Sequence, residues 1–419
     1  MRRVELRTTN VVGSTSEGGS IFGLRNLSII DHAAISPINC TGCSIVVSSE
    51  KWRGFAADVL PLPVMEMDFP IAQPIRDVLI EMVNHSDLGY LGPVPELADG
   101  FAAFCAKRWG WEIDKSQVRI AADVGVGCVE VLRVFTKPGD RILINSPVYQ
   151  NFYNWINEVK LEKVDVPFVN TGSQSDDVNP WTLDFDEVEK AYASGIKVHL
   201  LCSPHNPLGR IYSRAELTRI ADMAKKYGVI VISDEIHSPL VFKSHEFVPF
   251  LAISETAREV GVTVTSASKG WNIAGLKSAV IVSQNKAIDE VLALMPPAVK
   301  FRSSILGAFA SAAAFKDGGV WLDSVLDTLE QNSLMVRDLL SAKLPSVKTH
   351  VPQSSYVAWL DLTSLNLGEN PAQTLLERGK VAFNAGHMYG PQSSQFVRLN
   401  YATSPTILTE AIDRIVKSL

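Results

Sequence analysis

Five consecutive residues, Val229-Ile230-Val231-Ile232-Ser233, admit few structural settings. Successive side chains on a strand point to opposite faces, so an unbroken β-branched run needs cover on both sides. A stretch of helical periodicity at 215–227 precedes it, closed by Gly228. Similar short apolar runs occur at 141–144, 198–202, 262–265 and 279–282. Strands separated by helices predict an α/β fold, a mostly parallel sheet between layers of helix. Ligands of such sheets bind beyond the carboxyl ends of the strands. The chemistry is therefore expected just after these runs.

The pattern changes after about residue 310. One long helix is expected over 306–344, then strands at 356–360 and 396–399, then a final helix from about Thr406. These predict a smaller α/β carboxyl-terminal domain. We expect an irregular arm over 1–50, a large domain over 51–310 and the small domain over 311–419. Roughly the first 35 residues of the large domain are expected to pack with the small one. A chain of 419 residues is too long for one typical core, which agrees with two domains.

Charge and cysteine content narrow the function classes. A net charge of -6 argues against a nucleic-acid partner, which would need a basic face. Five cysteines, an odd number, point to a reducing compartment. Cys40 and Cys43 form a lone CxxC without a second pair, so they are read as two thiols in a loop, and no metal site is expected. No apolar segment follows Arg2 and Arg3 as in a secretory signal. No apolar run reaches the ~20 residues of a membrane helix. A cytoplasmic protein is the expectation.

Four segments at expected strand ends carry unusual residues. Asp123-Val124-Gly125-Val126-Gly127 leads into a helix, where free N–H groups can meet a phosphate, although a plain tight turn reads the same way. In Ser203-Pro204-His205-Asn206-Pro207-Leu208-Gly209 the backbone is fixed around one amide, Asn206. In Ser233-Asp234-Glu235-Ile236-His237 two carboxylates end an apolar strand, where they need partners or cap a helix. In Ser266-Ala267-Ser268-Lys269 two hydroxyls flank a lysine, and Lys277 follows. Such hydroxyls and a cation can hold a phosphate, and Lys269 can bond a carbonyl covalently. Alone, Lys269 is an ordinary solvated cation. Together the four segments specify pyridoxal 5′-phosphate (PLP), which needs a lysine, an acid for its ring nitrogen, a partner for its phenolic oxygen and a phosphate cradle.

With these motifs the sequence resembles the class I/II aminotransferases, fold type I of the PLP enzymes, from about Lys51 to Leu419. The resemblance implies a seven-stranded, mostly parallel sheet and a role for each matching residue. Lys269 would hold the cofactor covalently, Asp234 would meet its ring nitrogen and Asn206 its phenolic oxygen, with His237 sharing that contact. Ser266, Ser268, Lys277 and the amides of Gly125 and Val126 would hold the phosphate. Tyr149 would stack on the ring, and Arg398 would clamp the substrate α-carboxylate.

Lys51-Trp52, Glu66-Met67-Asp68-Phe69, Gly89-Tyr90, Asp234-Glu235-Ile236-His237 and the stretch from Ser268 to Lys277 look like the cystathionine β-lyase-type branch. That branch implies β-elimination from S-substituted cysteines, with an amino-acid substrate. It implies a homodimer in which Tyr90 reaches the neighbouring subunit's cofactor. Transamination, a specialised biosynthetic lyase and a non-catalytic cofactor-binding protein stay open from the residues themselves. Three positions depart from the branch: Pro63 replaces a tryptophan, Ser354-Ser355-Tyr356 replaces Gly-Thr-Tyr, and Arg302 replaces an uncharged residue. All three are expected on the substrate side of the site.

Overall fold

The computed structural model describes residues 48–172 and 179–419. The arm expected over 1–50, apart from its last three residues, and the Cys40–Cys43 pair lie outside the described residues. The strands are β1 (Leu60–Pro61), β2 (Val118–Ala121), β3 (Arg141–Ile144), β4 (Glu162–Asp165), β5 (Val169–Asn170), β6 (Trp181–Thr182) and β7 (Ile196–Cys202). They continue as β8 (Ile230–Asp234), β9 (Gly261–Thr265), β10 (Ala279–Val282), β11 (Val357–Asp361), β12 (Val381–Ala382), β13 (Asn384–Ala385) and β14 (Phe396–Asn400).

Seven strands form one sheet in the order β2-β10-β9-β8-β7-β3-β4. Only β10 runs antiparallel to its neighbours; the other pairings are parallel. This is the α/β sheet expected from the β-branched runs. Neighbouring residues of one strand belong to different cores. Ile142 and Ile144 pack in one and Leu143 in the other, and Ile232 and Val231 divide the same way. Both faces are thus covered, which is why the runs show no polar alternation. The helix Arg214–Tyr227 opens with a capping box between Ser213 and Glu216 and ends at Gly228, whose φ of 68° suits a residue without Cβ.

A second unit holds the antiparallel sheet β11-β14-β13 and the helix Pro371–Gly379. β1 pairs with β12 in parallel. The Asn400 N–H donates to Leu62 and the Asp68 N–H to Ala402, so residues 60–68 are bonded to the carboxyl-terminal unit.

The single helix expected over 306–344 is two, Ile305–Asp317 and Gly319–Lys343. The break falls at Gly318, whose ψ of 3° departs from helix geometry. Trp271 is the cause: its Nε1–H donates to the Gly318 carbonyl at 3.0 Å. A Cβ at Gly318 would stand 2.4 Å from the same nitrogen. Among the described residues no helix is long and apolar enough to cross a membrane.

Candidate active site

β7, β8 and β9 end side by side, with Cys202 opposite Asp234 and Asp234 opposite Val264. The turns that follow converge there, as expected for a parallel sheet. They bring Asn206, Asp234, His237 and Lys269 to one cavity of about 700 Å³. Gly125, Val126, Tyr149, Ser268, Lys277 and Arg398 also line it.

Lys269 sits in the short helix Ala267–Gly270, and its Nζ donates to the Met65 carbonyl at 3.0 Å. Desolvation by the enclosing walls, with the Arg398 charge next, lowers its pKa to about 8. Asp234 is the last residue of β8 and is buried. Burial raises its carboxyl to about 7, against the opposing pull of the Ile236 N–H and the Lys269 charge. A cation placed on this carboxylate would relieve that burial cost.

Arg398, on β14, is 3% exposed. Its Nη1 donates to Asn206 Oδ1 at 3.1 Å and its Nη2 to the Pro63 carbonyl at 2.8 Å. Its Nε is buried without a partner, and among the described residues no carboxylate pairs with the guanidinium. A buried cation left in that condition suits an incoming carboxylate. The bond from Arg398 occupies the Asn206 oxygen, so the Asn206 Nδ2 donor is turned elsewhere, 3.6 Å from Met65 Sδ. The Tyr149 hydroxyl accepts from Asn151 Nδ2 at 2.8 Å, and its ring forms a wall of the cavity.

At the far end the helix Val124–Phe135 begins behind Asp123. The Val126 N–H, expected to be free for a phosphate, instead donates to Asp123 Oδ1 at 2.8 Å. The other Asp123 oxygen pairs with Lys277 at 3.0 Å. In the same wall Ser278 Oγ is buried and has no partner among the described residues. A Cβ on Gly125 would come within 3.1 Å of the Trp155 ring, so glycine keeps this end open.

Two expected residues are not brought to the cavity. Ser266 does not line it: its hydroxyl donates to the Ser278 carbonyl at 2.6 Å and accepts the Ser268 N–H at 3.0 Å, as a helix cap does. Tyr90 is 95% exposed, away from the cavity of its own chain. The departures fall unevenly. Arg302 lines the cavity and is exposed. Pro63 acts through its carbonyl, which accepts from Arg398 and, at 2.9 Å, from Asn384. Ser355, expected on the substrate side, instead contacts His237 at 2.9 Å.

The sequence reading missed Met65, whose carbonyl also accepts from the Tyr356 hydroxyl at 2.9 Å. No local pattern marks a residue used through its backbone. It also gave Asp123 no role, although an acid before a glycine-rich helix start is a capping signal.

The sequence pattern of the aminotransferase class I and II family matches residues 58–415. The chain belongs to this family. It is 34% identical over 371 residues to a cystathionine β-lyase of Corynebacterium glutamicum, covering 88% of this chain and 96% of that protein. It is 31% identical over 374 residues to the cystathionine β-lyase PatB of Bacillus subtilis, covering 86% and 93%. Cystalysin from Treponema denticola, whose crystal structure contains pyridoxal 5′-phosphate, superposes with a TM-score of 0.83 at 27% identity, covering 88% and 95%.

The cofactor of this class I/II aminotransferase-family enzyme is pyridoxal 5′-phosphate. The residues present fit it. The cavity offers a lysine of depressed pKa, a carboxyl whose pKa burial raises, and, at the end where a helix starts, an open glycine and a hydroxyl that has no partner among the described residues.

Proposed function

We propose that the protein is a PLP-dependent carbon–sulfur β-lyase, cleaving cystathionine or another S-substituted cysteine to a thiol, pyruvate and ammonia. What carries the reading is the full-length likeness to cystathionine β-lyases, 34% identity over 96% of one such enzyme. When bound, the cofactor supplies an electron sink that acidifies the substrate Cα–H.

The chain's own residues do the rest in this reading. Arg398 holds the α-carboxylate through its orphaned Nε and a neighbouring N–H. Tyr149 walls the reacting plane. Asp234 would hold a proton on the pyridine nitrogen. Asn206, once its Nδ2 turns from Met65, and His237 would bond the phenolic oxygen. The Lys269 amine removes the Cα proton as general base. The Cβ–S bond then breaks with its electron pair leaving on sulfur. Lys269, now protonated, is the nearby acid for the departing thiolate. The released amino-acid fragment takes up water to give pyruvate and ammonia. In the same reading the protein is a homodimer, and Tyr90, too exposed to serve its own chain, completes the partner's site.

The test is incubation with cystathionine alone, and separately with an amino acid plus 2-oxoglutarate. Pyruvate formed without any keto acid supports the lyase. Strict dependence on a keto-acid acceptor would replace it with a transaminase.

A further inference from the structure

Among the described residues, seven other than glycine have positive φ. Ser355, at φ 75°, is the fully buried one, only 1% exposed. A side-chain-bearing residue in this region is strained and persists only where its surroundings over-determine it. Here they do. The Ser355 N–H donates to the Leu240 carbonyl at 2.9 Å, and its carbonyl accepts from the Tyr401 hydroxyl at 3.2 Å. The result is that Ser355 Oγ lies 2.9 Å from His237 Nδ1.

The direction of that bond follows from what else is in reach. Among the described residues the Ser355 hydroxyl bonds to His237 Nδ1 and to no other side chain, and both side chains are buried. If the ring donated, the hydroxyl hydrogen would be buried without an acceptor. If the hydroxyl donates, both groups are satisfied. Nδ1 is then the acceptor, and the ring hydrogen must sit on Nε2. The ring stays neutral, because burial and the charges of Lys269 and Arg398 lower its pKa to about 3. His237 lines the cavity, and among the described residues its ring bonds through Nδ1 and not through Nε2.

We propose that Ser355 is a positioning residue: its strained backbone holds the hydroxyl on His237 Nδ1, so the imidazole presents Nε2–H to the phenolic oxygen of the cofactor. The proposal rests on the reading of this cavity as the cofactor site, with His237 at that oxygen. A donor on this oxygen favours its ionised form. It therefore helps to set the pH at which the bound cofactor changes its visible absorbance.

The experiment uses holoenzyme labelled with 15N-histidine, with His237→Gln to identify the signal, and the variants Ser355→Ala and Ser355→Gly. Alanine keeps the strained backbone and removes the hydroxyl; glycine removes both. We expect wild-type His237 to carry its proton on Nε2, with bare Nδ1. Both variants should lose that fixed tautomer. Both should move the absorbance midpoint to higher pH, by about one unit. The glycine variant should melt at a higher temperature than the alanine variant. A wild-type Nδ1–H tautomer would overturn the proposal. So would an unchanged midpoint in both variants, or a midpoint that follows melting temperature and not loss of the hydroxyl. These readouts do not need turnover, so a protein that is no lyase leaves them intact.

Discussion

Lys269 needs an uncharged amine to bond the cofactor's aldehyde, and its pKa of about 8 sets where that amine is available. Apoenzyme mixed with cofactor should bind it covalently about tenfold faster per pH unit up to about 8 and then level off. Stopped-flow absorbance reads this directly; a rate still climbing to pH 10 would mean an unshifted lysine. Asp234 gives a second prediction. Its folded-state pKa of about 7 lies above its usual 3.8, so the folded apoprotein holds a proton that the unfolded chain has lost. That contribution to stability is present at low pH and is lost as pH rises through about 7. Asp234→Asn should therefore gain apoprotein stability relative to wild type on going from pH 4 to pH 8, on the order of a few kcal/mol. Chemical denaturation at the two pH values measures it, and the same variant should bind the cofactor weakly. At this scale the sequence showed the charged and amide side chains, because lysine, acid and asparagine at strand ends have few other uses. It did not show Met65 or Pro63, which act through carbonyls that any residue carries, or the contact of Ser355 with His237, which joins residues 118 positions apart.

Elements place those residues by pressing on one another. Gly307, in the helix Ile305–Asp317, has the Leu276 carbonyl 1.9 Å from where a Cβ would stand. Leu276 immediately precedes Lys277, and the Ser304 N–H donates to the Lys277 carbonyl at 3.0 Å. Gly307→Ala must push this turn away from the helix. It should weaken cofactor affinity at least tenfold while leaving the sheet folded, as read by cofactor titration and circular dichroism; unchanged affinity would mean that Lys277 does not depend on this packing. The strands were readable because burial on both faces removes polar alternation and leaves runs such as Val229–Ser233. The break at Gly318 was not, because it is imposed by the indole of Trp271 from another part of the chain. Helical periodicity continues across it undisturbed.

For the whole molecule, the proposed homodimer has two sites, each built from both chains. A single chain of 45.8 kDa leaves Tyr90 95% exposed, which suits a residue that serves a neighbour. The protein should sediment at twice the chain mass. Lys269→Ala and Tyr90→Ala should each be nearly inactive, and mixing the two should restore part of the activity by forming one intact site per mixed dimer. No recovery after subunit exchange would place Tyr90 outside the partner's site. The central claim is elimination at Cβ over the base Lys269. Its most direct measurement is the ratio of thiol to pyruvate released from cystathionine by pure holoenzyme without a keto acid. Equal amounts of both, lost in Lys269→Ala, are the expected result. No pyruvate without an acceptor, or pyruvate release undiminished in Lys269→Ala, would contradict it.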